Sequence, residues 1–170
     1  MSLLESLPKS SKDGILYEAD TVHNILPQKA PFAFVDEILS LDAENMEIVG
    51  KWHLTGEEGF LKGHFPGNPV LPGVIQIESM AQAATLLTMI GREAETTGKR
   101  PAFMGVENCR FRAPVIPPAE IVLKVSGYSS DNLKGRVKIV RFYVITDCFR
   151  EPAYTEILSK QRSKGTMHGF

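Results

Sequence analysis

Cysteine is scarce in this 170-residue chain: Cys109 and Cys148 are too few and too far apart for a disulfide framework or a CxxC metal site. Both are expected as plain buried thiols. Net charge is nearly absent, since 19 lysines and arginines stand against 20 aspartates and glutamates. That balance excludes a surface built throughout for nucleic acid and leaves any acidic partner to be met by a local patch. Glu5, Pro8, Lys9 and a serine pair interrupt the opening MSLLESLPKSSKDG, so it lacks the apolar core of a signal peptide. A cytoplasmic protein is expected. The one long apolar run, residues 72–90, carries Gln76, Glu78, Ser79 and Gln82 and is a poor membrane span. Phosphate loops, nucleophile elbows and metal-ligand spacings are also missing.

What is present is the composition of one globular domain, 43% hydrophobic and 23% charged. Residues 1–19 read as a loosely held polar leader, 20–162 as the domain and 163–170 as a tail. Asp20 or Thr21 is placed to cap a short helix through about Leu26, which Pro27 ends. A strand from Phe32 to Leu41, a turn at Asp42–Asn45 and a partner strand from Met46 to Leu54 form a hairpin. Pro72 suits a first helical position, and the helix should run to Gly91 or Arg92. Further strands are predicted at Pro101–Phe111, Ile121–Tyr128, Val137–Thr146 and Ala153–Gln161. Hairpin, long buried helix and antiparallel strands together imply an α+β fold with a sheet wrapped on one helix.

The chemistry is concentrated in Gly63-His-Phe-Pro-Gly-Asn-Pro-Val-Leu-Pro-Gly73 and the helix that follows. Glu78 lies among apolar residues, where an unpaired carboxylate is costly and the neutral acid is favoured, so a proton is available for donation near neutral pH. Gln82 is one turn further on and can orient the carboxyl. His64 can accept a proton. The amide of Gly73, at the helix start, offers a donor to a developing oxyanion. Base, acid and oxyanion donor are the parts needed to remove a proton α to a carbonyl and expel a β-hydroxyl as water. A helix acid can also simply pair with a buried base, and a histidine before Pro-Gly can simply satisfy a turn, but the loop joining the two into one unit favours the chemical reading. His23, His53 and His168 lack such a context.

The block 63–83, with Leu26-Pro27, Pro31-Phe32, Val35-Asp36, Phe103-Met104-Gly105-Val106 and Arg110–Val115, resembles the β-hydroxyacyl-(acyl carrier protein) dehydratases of the hot-dog fold. The resemblance implies a fold in which an antiparallel sheet wraps a central helix, and dehydration of (3R)-3-hydroxyacyl-ACP to trans-2-enoyl-ACP in fatty acid biosynthesis. It makes His64 the base, Glu78 the acid and Gly73 the donor to the thioester carbonyl, with no cofactor and no metal. It implies sites shared between two subunits of a homodimer, sometimes a trimer of dimers, and an acyl tunnel lined by Phe60, Phe65 and Phe103. Acyl carrier protein is the implied partner, and Lys99, Arg100, Arg110 and Arg112 are candidate docking cations; neither nucleic acid nor membrane is implied. Two positions depart from the pattern: Ala102 replaces a gating tyrosine and Pro118 replaces a glycine. Related dehydratase-isomerases carry aspartate at the acid position, so Glu78 favours simple dehydration. The competing readings are a hot-dog acyl thioesterase and a noncatalytic acyl-carrier-binding subunit.

Overall fold

The computed structural model describes residues 3–99, 102, 105–106, 109–129 and 137–146. Strands β1 (Glu37–Asp42), β2 (Glu47–Leu54), β3 (Ala119–Ser129) and β4 (Val137–Thr146) pair antiparallel in that order. The turn from β1 to β2 is closed by Asp42, whose carboxylate accepts from the Asn45 amide at 2.9 Å. Register then decides which side chains face the core. Ile48, Trp52 and Leu54 of β2 stand opposite Val125, Ile121 and Ala119 of β3, while the intervening Lys51 and His53 face outward beside Glu37 and Glu120.

Helix α3 (Gly73–Gly91) lies against β3 and β2. Its Met80, Ala83, Leu86, Leu87 and Ile90 meet Ile38, Ile48, Trp52, Ile121, Leu123 and Val125 in one buried cluster. Each large aliphatic side chain removed from water there contributes about 1.5–3 kcal/mol. The small Ala81, Ala83 and Ala84 let the sheet come close to the helix. Sheet and central helix make this the expected α+β hot-dog architecture.

Several local expectations are corrected. Helix α2 is Ala19–Ile25 with Glu18 at its N-cap, ahead of Asp20 and Thr21. The first strand begins at Glu37, because the backbone before it is bonded elsewhere: Phe32 N–H donates to Lys29 O and Phe34 N–H to the Gln82 side chain. Pro72 is the N-cap of α3 and Gly73 its first residue. Ala102, Gly105, Val106 and Cys109–Phe111 lie in no strand, and Cys109 is exposed. The predicted strand 153–161, Cys148 and His168 fall outside the described residues.

The leader also differs from expectation. Helix α1 (Leu3–Ser6) and Leu7 and Leu16 pack on the core, and Tyr17 is fully buried. Tyr17 exchanges backbone hydrogen bonds with Ile38 at 3.0 Å in both directions, laying the leader along the outer edge of β1. Its apolar positions 3, 4, 7, 16 and 17 outweigh the polar residues between them. Nor is α3 enclosed all round: Val74 is 71% exposed and Glu78 half-buried, because the sheet covers only one side of the helix.

Candidate active site

His64 is held by its own loop. A short 3-10 helix, Gly59–Gly63, leads into it, and the His64 amide donates to Leu61 O at 3.1 Å. Phe65 and Asn68 exchange backbone hydrogen bonds across a tight turn, where Gly67 takes φ +75°, a conformation that disfavours residues with a Cβ. Val70 N–H then returns to His64 O at 2.8 Å. The imidazole Nδ1 is 2.8 Å from Val70 O. A carbonyl can only accept, so Nδ1 carries a proton, and Nε2 is the nitrogen left bare when the ring is neutral. The Phe65 ring stacks on the imidazole at 4.3 Å.

Upstream, the Glu58 carboxylate accepts from Thr55 N, Thr55 Oγ1 and Gly56 N at 2.8–2.9 Å. Burial pushes this carboxyl up, but the donors outweigh it and hold it below the ordinary range. A depressed carboxyl strengthens the fold above its ordinary range, and the contribution is lost as pH falls through the lowered value. The approach to His64 is therefore braced at neutral pH and loosens only in acid.

His64 opens onto a cleft of about 370 Å³ shared with Gly73, Gln76, Phe111 and Arg112. Leu71 N–H, bonded to Val115 O at 2.8 Å, fixes one wall, and the buried Gln76 amide donates to Leu71 O at 3.3 Å. The amides of Gly73 and Val74 bond to no acceptor among the described residues, as the first turn of a helix leaves them. They are available to an oxyanion in front of the helix. Gly73 also has no room for a side chain: a Cβ there would lie 2.7 Å from the Phe111 ring.

Glu78 is oriented from a different side. Gln82, wholly buried, donates through Nε2 to Glu78 Oε1 and to Phe32 O at 3.0 Å each, and its Oε1 accepts from Phe34 N–H at 2.7 Å. The backbone at 32–34 thereby fixes one donor and the acceptor of that amide and aims its other N–H at Glu78. Gln28 adds a longer contact to the same Glu78 oxygen, 3.5 Å.

Within one chain His64 and Glu78 do not meet. No hydrogen bond or ion pair joins them among the described residues. Gln76 faces the histidine cleft, and Glu78, two residues on, is rotated about 200° around the helix. Gly73 lines the same cleft as His64, and Gln82 bonds to Glu78. Phe65 reaches His64, whereas Phe60 is partly buried against the core with its ring 6.0 Å from Phe34. Phe103 and Arg100 lie outside the described residues. Arg112 lines the cleft, and Lys99 and Arg110 are exposed. Gln28 and Phe111 as site residues went unforeseen; both are brought in by tertiary approach, with no spacing signal linking them to positions 78 and 73.

Residues 26–148 match the FabA-like domain family. A protein of Chlamydia trachomatis serovar L2 named 3-hydroxyacyl-[acyl-carrier-protein] dehydratase FabZ is 35% identical over 142 residues, 84% of this chain and 92% of its own. Proteins of the same name from Erythrobacter litoralis and Xanthomonas campestris pv. campestris are 43% and 35% identical over 110 and 108 residues. The first match covers 64% of this chain and 72% of that protein, the second 64% and 71%. Among the described residues no helix is long and apolar enough to cross a membrane. With a hot-dog core and a family match that spans most of its length, the chain belongs to the FabA-like domain family.

Proposed function

We propose that this chain is a 3-hydroxyacyl-[acyl-carrier-protein] dehydratase of fatty acid biosynthesis, acting in the cytoplasm. The observation that carries the reading is the tautomer of His64: Val70 O holds the proton on Nδ1 and leaves Nε2 as a base beside the unbonded Gly73 amide. In this mechanism the thioester carbonyl of the substrate accepts from the Gly73 N–H, which stabilises charge as it develops on that oxygen. Nε2 of His64 takes the proton from C2, and the electron pair released forms the C2=C3 double bond. The C3–O bond breaks, the hydroxyl takes the proton held by Glu78, and water leaves. His64 is then an imidazolium and Glu78 a carboxylate; proton exchange with solvent resets both.

The separation of His64 from Glu78 supports a homodimer with sites built across the interface. Two surfaces fit such an arrangement. One carries His64 with the exposed Phe65 and Phe111, and the other carries Glu78 with the exposed Val74 and Phe32. Apposed about a two-fold axis, each surface covers the other, and two sites form. Further assembly into a trimer of dimers is part of the same reading. Acyl carrier protein is the partner, with Arg112 at the cleft as a docking cation and the exposed Lys99 and Arg110 as further candidates.

Incubation with short and long 3-hydroxyacyl-ACP, followed by mass spectrometry, tests the reaction. Loss of 18 mass units, about one water, with the thioester intact is expected for this acid–base elimination; release of free acid identifies a thioesterase, and binding without product a noncatalytic subunit. Gly73→Ala should lower kcat/KM at least about tenfold by pushing Phe111 off the helix start and misplacing the oxyanion donor. Steady-state rates beside a thermal melt check that the loss is catalytic.

A further inference from the structure

Glu78 takes both of its hydrogen bonds on one oxygen. Gln82 Nε2 reaches Oε1 at 3.0 Å and Gln28 Nε2 reaches the same atom at 3.5 Å, while Oε2 has no partner among the described residues. The two amides are not equivalent. Gln82 is held at both ends of its amide, by Phe34 N–H on the oxygen and by Phe32 O and Glu78 on the nitrogen. Among the described residues the Gln28 side chain is bonded only to Glu78, and its own Oε1 is buried with no partner. A buried amide carbonyl left unmatched is destabilising. The Gln28 side chain thus bears a cost where the one bond it makes among the described residues is to the acid.

We infer that Gln28 is a second positioning residue for Glu78, so that Oε1 is anchored by two amides and Oε2 carries the proton delivered to the leaving hydroxyl. This rests on the dehydratase reading. Dehydration turns the neutral acid into a carboxylate, and a donor to Oε1 stabilises the product of that transfer more than its starting form. Contacts that are long in a substrate-free site tighten as charge develops. Gln82 holds the carboxyl's direction at all times, and Gln28 contributes most as the proton leaves. Glu78 forms no ion pair among the described residues, which leaves these two amides as its anchors.

Gln28→Met keeps the length and removes the amide; Gln28→Glu places a second carboxylate beside the first. In Q28M we expect kcat about tenfold lower with KM for the carrier-bound substrate unchanged, and the alkaline limb of the kcat profile moved to higher pH by up to about one unit, because the neutral acid persists longer without its donor. Q28E should move that limb further the same way, by like-charge repulsion, while the acid limb set by His64 stays in place. Normal kcat and an unmoved limb in folded Q28M would overturn the inference, as would a loss confined to the thermal melt. Glutamate labelled with 13C at the carboxyl supplies a readout free of turnover: the Glu78 resonance should differ between wild type and Q28M across the pH range, and an unchanged resonance refutes the contact. Failure of the wild type to dehydrate any substrate, with that resonance still sensitive to Gln28, would instead refute the proposed function.

Discussion

Chains carrying H64A mixed with chains carrying E78Q should regain roughly one quarter of wild-type turnover, as a two-fold interface with shared sites requires. Each variant alone should fall at least about a thousandfold, the scale on which a positioned acid or base contributes. The separation of the two residues drives this expectation. Random exchange makes half of the dimers mixed, and each mixed dimer holds one intact His64–Glu78 pair and one doubly damaged pair. Neither variant should unfold: the His64 ring is partly exposed at the cleft, and glutamine at position 78 can still accept from Gln82. Activity near wild type in either variant alone would remove that residue from the chemistry. Two silent variants that stay silent after demonstrated subunit exchange would place both residues in one chain's site, against the opposed helix faces described above.

Tyr17→Ala should cost about 3–5 kcal/mol of stability, the range for truncating a fully buried aromatic. For a chain of this size that lowers the melting temperature by roughly 10 °C or more. The ring fills the space between the leader and the core, and its hydroxyl donates to Leu4 O at 3.4 Å, tying the two ends of the leader together. Burial also pushes the phenol above its ordinary range, so it stays neutral wherever the protein is folded. Tyr17→Phe forfeits only that long hydrogen bond and should melt close to wild type. A melting temperature for Y17A equal to wild type would mean that the leader's contacts contribute nothing to the fold. Calorimetry on the three proteins separates these outcomes.

The elements that periodicity and punctuation define could be read directly. Pro72 and Gly73 mark the start of α3, Gly91 its end, and β2, β3 and β4 lie where branched and aromatic residues gather. The same reading failed where a distant group intervenes. The segment 32–34 has a strand's composition, yet its backbone is claimed by Gln82, about fifty positions away in sequence and invisible to any local window. The leader misled for a related reason: its apolar residues are spaced through polar ones with no helical or strand period, and only the groove beside β1 gives them a place. In the site, His64, Glu78, Gly73 and Gln82 announced themselves because each breaks the pattern of its surroundings. Gln28 and Phe111 sit in ordinary turn and strand-like contexts and become site residues only through folding.

The backbone pairing of Tyr17 with Ile38 has a consequence for assembly. An open strand edge is an invitation to any other chain with free amides, and at Ile38 the β1 edge is already taken. A second chain approaching β1 there meets backbone groups that are bonded to the protein's own leader. Under the proposed two-chain site this matters, since an edge-to-edge encounter at that position would join two chains without bringing His64 to Glu78.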